Sequence, residues 1–231
     1  MDKDDFQKIF KQFLEREKHK PDCVLDKDDI NELLIDDSEI IDESPRPDIY
    51  GYPSRPLHRE ISSILHIWMI TGQCPLLNLP KYDLLDEQEY AENRLETISS
   101  ITPMLSSLQS LWSVWSEDER KYTLRNLIKL LEKRGLLDLL GIRKTVGTYD
   151  LWPPPRRVLE RTFKEKHKPM TDSILTVGAR ALAKHCHRDE TSSWWGECTG
   201  RYGIRWTCDG MQFRGFLEPQ MIDGHAVGWR H

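Results

Sequence analysis

The C-terminal stretch, residues 201–231, reads RYGIRWTCDGMQFRGFLEPQMIDGHAVGWRH and contains the clearest β-hairpin signal in the chain. Asp209-Gly210 separates two runs in which apolar and polar residues alternate, a pattern typical of a two-residue type I′ turn. Such a turn places Trp206 opposite Phe213 on an apolar inner face that is suited to cover a helix. The stretch therefore predicts a small C-terminal sheet.

The outer face of this hairpin carries two arginines. With a two-residue loop, Arg205 faces Arg214 across the strands, and like charges in that position repel each other. Guanidinium groups suit phosphate and carboxylate partners, so we predict an anion-binding site on this face. The alternative is neutralisation by an acid of the same chain, such as Glu218 or Asp223. Three further residues are expected near the edge of the site: Arg201, His225 and Arg230.

A two-stranded hairpin is barely stable alone, so other elements have to support it. Residues 171–187 have the apolar spacing of a helix, and small residues around Gly178 make this helix slim enough for a neighbouring backbone to approach closely. A third strand is expected from residues 226–230, from another chain, or from a larger sheet of which this chain holds a part. The C-terminal module is therefore predicted to be α+β.

Apolar residues at helical spacing predict a helical bundle over residues 57–150. Thr102-Pro103 has the features of a helix start, after a separate helix over 86–100. The strongest helix signal begins with a Ser116–Glu119 capping box and ends at Gly135. We expect the tryptophans and leucines of this bundle to form its core rather than to line a ligand pocket.

The first fifty residues carry eight basic and sixteen acidic side chains, whereas residues 161–231 carry eleven basic and eight acidic ones. Short helices are predicted over 5–18 and 28–35. The acidic excess around the second helix and the prolines that follow it indicate a loosely attached, partly disordered arm over residues 1–56. A mildly basic C-terminal module can attract this arm or an anionic partner.

Residues 151–157, LWPPPRR, are predicted to form a rigid proline linker rather than a docking peptide. This linker separates the bundle from an α+β module over residues 158–231. The predicted fold class is thus mainly α with a small C-terminal α+β module, in which a helical bundle is followed by a helix packed on an Asp-Gly-turn β-hairpin.

The cysteines and histidines form no recognisable catalytic or metal-binding motif. The segment 185–190, HCHRDE, combined with Cys198 and Cys208, lacks the spacing of zinc ligands, so we expect no metal and no cofactor. Cys208 is expected to face the core and to be unreactive. Two adjacent aromatic side chains either stack on nucleic-acid bases or fill the gap between helix and sheet: Trp194 and Trp195.

Five irregularly spaced cysteines, a charged N-terminus and the lack of a long apolar run indicate a location in the cytoplasm or the nucleus, with no membrane partner. We favour a non-catalytic protein-interaction protein whose helical part and acidic arm bind another protein. One alternative is an RNA- or phosphate-binding module that uses the outer hairpin face. A second alternative is a hydrolase or transferase built from Cys208, His225 and Asp223.

Overall fold

A computed structural model of the chain describes residues 2–36, 52–78, 88–144, 149–169, 174–183 and 203–217. These residues form two compact units, a helical unit that ends at Pro153 and a smaller unit that begins at Pro154. The predicted fold class, mainly α with a small C-terminal α+β module, is confirmed. The boundary between the units falls inside the segment 151–157 that was predicted to be a linker.

Five α-helices and one short 3-10 helix form the described part of the helical unit. They are α1 (Lys3–Glu17), α2 (Lys27–Leu34), α3 (Leu57–Thr71), the 3-10 helix (Pro75–Asn78), α4 (Gln88–Leu111) and α5 (Glu117–Leu139). The most apolar of them, α3, contacts all four other α-helices. Its Trp68 is 1% exposed. The core of the unit is therefore built around α3.

The first two helices contribute fully buried side chains to this core. Phe6 and Phe10 on α1 and Ile30 and Leu33 on α2 have no exposed surface. The two helices are thus built into the unit, in contrast to the loosely attached arm predicted for residues 1–56. Residues 37–51 of that segment lie outside the described residues.

Helix α4 continues through Thr102-Pro103, so the predicted helix start at this position is wrong. The Thr102 hydroxyl donates a hydrogen bond to the Ile98 carbonyl (2.9 Å) and accepts one from the indole nitrogen of Trp68 (3.2 Å). The hydroxyl is therefore used inside the helix and does not cap a new one. Burial of the α4 face on both sides of Pro103 outweighs the helical hydrogen bond that proline removes.

Helix α5 begins as predicted and ends later than predicted. In the capping box, Glu119 N donates to Ser116 Oγ (3.3 Å) and Ser116 N donates to Glu119 Oε2 (2.7 Å). The helix does not end at Gly135. It breaks at Glu132, where φ is 50° and ψ is −172°, and then continues to Leu139. The buried leucines after Gly135 hold this last part of the helix in the core.

The smaller unit contains α6 (Arg156–Lys164), α7 (Val177–Ala183), β1 (Gly203–Trp206) and β2 (Phe213–Leu217). Helix α7 packs on β2, as predicted for the slim helix. A Cβ on Gly178 would lie 2.3 Å from the ring of Phe163, so glycine is required where α7 meets α6. Residues 171–173 and 184–187 of the predicted helix are outside the described part of the chain.

Helix α6 was not predicted, and it supports the hairpin from its apolar side. The Thr162 hydroxyl lies 3.2 Å from the Gly210 carbonyl oxygen and accepts a hydrogen bond from the indole of Trp206 (3.1 Å). The rings of Phe163 and Phe213 meet edge to face with centroids 5.2 Å apart. The sheet has two strands within the described residues, and α6 provides support that was expected from a third strand.

Candidate functional site

The turn of the hairpin differs from the predicted two-residue loop. Gly210 N donates a hydrogen bond to the Thr207 carbonyl (2.8 Å), and Thr207 N donates to the Gln212 carbonyl (2.9 Å). Gly210 has a φ of +71°, whereas Asp209 has no positive φ, so the turn is not type I′. Asp209 instead accepts a hydrogen bond from Met211 N (2.9 Å), as aspartates in turns commonly do.

The two arginines of the predicted anion site do not face each other. Trp206 pairs with Phe213 as predicted, but Arg205 pairs with Gly215, and a β-bulge leaves Arg214 as an extra residue. The predicted pairing of Arg205 with Arg214 is therefore wrong, and the cross-strand repulsion from which we inferred the site does not arise. Both arginine side chains are exposed, and neither forms a salt bridge with a described residue. Arg214 makes one long hydrogen bond, 3.5 Å, to the Gln212 side chain.

The remaining candidates of the sequence analysis are largely outside the described residues. This group comprises Arg201, His225 and Arg230, the stacking candidates Trp194 and Trp195, and the residues Cys198, Glu218 and Asp223. Cys208 is described and exposed, so the prediction that it faces the core is wrong. The described part of the chain contains no group of His, Cys, Asp and Glu side chains that could hold a metal ion.

A cleft of about 200 Å³ lies between the N-terminal half of α4 and the C-terminal half of α5. Its apolar lining consists of Trp68, Leu76, Ile98, Leu130, Leu131 and Leu139. Trp68 and Leu139 belong to the buried core, whereas Leu130 is 46% exposed. Some of the leucines and tryptophans assigned to the core from their spacing thus also line a cavity. We call this cavity the α4–α5 cleft.

One wall of the α4–α5 cleft holds a network of paired charges. Arg134 donates hydrogen bonds to Asp150 (2.7 Å), to Asp138 (3.2 Å) and to the Ile142 carbonyl. Burial raises the pKa of Asp138, although Arg134 acts in the opposite direction. Burial also works against the charge of Arg134, but Asp138 and Asp150 outweigh it and raise the pKa of the guanidinium. This network keeps Arg134 charged and in a fixed position.

Tyr90 lies between two guanidinium groups in the same cleft. The Cζ atom of Arg94 is 5.4 Å from the ring centroid and that of Arg134 is 5.5 Å from it. Burial raises the pKa of the Tyr90 hydroxyl, and the nearby Asp138 charge adds to this effect. The buried hydroxyl interacts with the Asp138 carboxylate, which favours the protonated phenol and holds the pKa of Asp138 down against the effect of its burial. Tyr90 is therefore part of the same polar network as Arg134 and Asp138.

Sequence reasoning missed the α4–α5 cleft, because its walls come from two helices that are distant in the chain. Arg94 and Glu132 stand on helices whose spacing indicates only buried and exposed faces. The nearby Cys74 thiol is buried, which raises its pKa to about 11 and leaves it protonated at neutral pH. This thiol is therefore not a thiolate nucleophile for the cleft.

The chain matches no protein-family model, and no curated protein or solved structure is significantly similar to it. Within the described residues, the helices are too short or too polar to cross a lipid bilayer.

Proposed function

We propose that this chain is a non-catalytic, intracellular protein-interaction protein that binds a partner protein in the α4–α5 cleft. The carrying observation is the composition of the cleft, in which the half-exposed Leu130 lies beside an apolar floor formed by Trp68 and Leu139. Apolar cavities with a few fixed polar groups are typical binding sites for a protruding side chain. The location we propose is the cytoplasm or the nucleus.

The paired charges of the cleft support binding rather than catalysis. Arg134 is tied to Asp138 and Asp150, so neither carboxylate is free to move a proton to or from a substrate. A fixed polar wall next to an apolar floor orients a bound side chain and excludes water from it. We therefore assign partner binding to the helical unit, which the sequence analysis also favoured.

Leu130→Glu is expected to weaken partner binding about tenfold or more, because burying a leucine side chain contributes about 1.5–3 kcal/mol. Random displayed peptides are selected on the immobilised full chain, and the affinity of synthetic copies is measured by fluorescence anisotropy. Leu95→Glu is the matched control, since Leu95 is 56% exposed on α4 and does not line the cleft. The proposal fails if no peptide is selected or if both variants bind the selected peptides equally well.

An RNA- or phosphate-binding role of the smaller unit is a second candidate, supported by its charge. Its described residues include nine basic and three acidic side chains, and Arg205 and Arg214 are exposed. Such a surface favours the phosphate backbone of single-stranded RNA. Glu160 partly neutralises the charges of Arg156 and Lys164 on α6, so these two residues differ from the hairpin arginines.

Arg205→Gln with Arg214→Gln is expected to reduce the slope of log affinity against log salt by about 1.4, the value for two lost contacts with single-stranded RNA. Binding of a labelled oligouridylate is measured over a range of salt concentrations. The control, Arg156→Gln with Lys164→Gln, removes the same charge from residues that Glu160 already neutralises in part. Equal losses in both double variants would argue against a hairpin site and leave only non-specific attraction.

A further inference from the structure

Two charged side chains of the α4–α5 cleft have no ion-pair partner among the described residues. Arg94 on α4 is partly buried, and Glu132 on α5 is exposed. The other two charged residues that line the cleft, Arg134 and Asp138, are paired with each other. The cleft therefore offers a partner one cation and one anion on opposite walls, with an apolar floor between them.

The Arg94 guanidinium is held in place without the use of its hydrogen-bond donors. Its Cζ atom lies over the ring of Tyr90 (5.4 Å from the centroid), and it donates no hydrogen bond to any residue that the structure describes. A contact with the ring uses none of the N–H donors of the group, and these donors can form two parallel hydrogen bonds with a carboxylate. Because Arg94 is partly buried, salt and solvent screen such a pair less than they screen a surface pair.

Glu132 stands at the break in α5, in a backbone conformation that residues other than glycine seldom adopt. The two cations that follow it are tied to other carboxylates. Lys133 donates to Asp29 (2.7 Å) and Arg134 donates to Asp150 (2.7 Å). These contacts hold the break in place and leave the Glu132 carboxylate without a neutralising cation.

We infer that the partner segment presents an apolar side chain between a carboxylate that contacts Arg94 and a basic side chain that contacts Glu132. This inference rests on the proposed function, since it specifies the partner of the same cleft. A ligand of a single charge sign fits less well, because Glu132 repels an anion such as phosphate and Arg94 repels a purely basic peptide. A peptide of mixed charge around an apolar residue satisfies both walls.

A charge-exchange experiment with the selected peptides tests this inference. The peptides that bind the full chain are expected to contain an acidic and a basic residue near an apolar one. Arg94→Glu is expected to weaken them about tenfold, the loss that one partly buried charged pair produces. Changing the peptide acid to lysine is expected to restore most of the affinity for this variant. The same reversal is expected for Glu132→Lys with the peptide base changed to glutamate.

Arg120→Glu is the matched control, because the Arg120 guanidinium also lies over an aromatic ring, that of Trp112 (4.7 Å from Cζ to the centroid), but does not line the cleft. It changes the net charge by the same amount as Arg94→Glu. Equal weakening by both variants would overturn the inference and leave the proposed function standing. The same holds if the selected peptides lack the paired charges but still lose their affinity for the Leu130→Glu variant. A failure to select any peptide would overturn both. Restoration by the exchanged peptides also shows that the variant is folded.

Discussion

A chain that begins after residue 36 is expected to lose the cooperative folding of the helical unit. The deletion removes α1 and α2, whose fully buried side chains include Phe6, Phe10, Leu14, Ile30 and Leu33. Removing one large buried side chain commonly costs about 2–5 kcal/mol, whereas a whole domain is stable by about 5–15 kcal/mol. Far-UV circular dichroism and thermal unfolding of the truncated and full-length chains measure the effect.

Single substitutions on α1 separate the contribution of its buried side chains from that of its exposed ones. Phe10→Ala is expected to lower the free energy of unfolding by about 3–5 kcal/mol, because Phe10 is completely buried. Lys11→Ala is the control, since this side chain is 52% exposed and its change is expected to stay within about 0.5 kcal/mol. A truncated chain that still melts in one transition at the temperature of the full chain would restore the view of residues 1–36 as a detachable arm.

Arg125→Met is expected to lower the free energy of unfolding by about 3 kcal/mol, because it leaves the carboxylate of Glu17 buried without its main partner. Glu17 is 1% exposed, and both of its carboxylate oxygens accept hydrogen bonds from Arg125 at 2.7 Å. Arg125 also binds Asp22 (2.8 Å). Lys20 keeps a contact with Glu17, so the expected loss lies at the lower end of the range for broken buried pairs. Urea unfolding of the two proteins measures it.

Two comparisons distinguish a buried pair from an ordinary surface ion pair. The double variant Glu17→Leu, Arg125→Met is expected to be more stable than Arg125→Met alone, because it buries no unpaired charge. Arg16→Met removes surface ion pairs with Asp118 and Glu117, in which all side chains are at least half exposed, and is expected to cost about 0–1 kcal/mol. A loss for Arg125→Met no larger than that for Arg16→Met would contradict the assigned role of the pair.

The hairpin illustrates how far local sequence reasoning extends. Alternation of apolar and polar residues identified the two strands and the pairing of Trp206 with Phe213. The arginine pairing was wrong, because a bulge at Arg214 moves Arg205 opposite Gly215, where φ is +126°. A bulge depends on what packs against both faces of the strands, and the sequence pattern does not specify that.

Helix α6 was missed although its apolar spacing is visible in the sequence. Leu159 and Phe163 are four residues apart and face the hairpin, but three prolines before them and several basic residues among them suggested a linker. Prolines in fact precede a helix readily, because the first helical residues need no N–H partner. A Cβ on Gly210 would lie 2.9 Å from both Leu159 and Pro154, so this glycine is needed for close packing as well as for the turn.

The sequence by itself determined the helical class of the first unit, the Asp-Gly hairpin of the second, and the Ser116–Glu119 capping box. All three depend on residues within a few positions of one another, where periodicity and turn chemistry act directly. Only the tertiary structure decided that α1 and α2 belong to the core, that α4 passes through Pro103, and that Arg94 and Glu132 stand on opposite walls of one cleft. Those features arise from packing between distant segments, whose gain in buried surface outweighs local preferences.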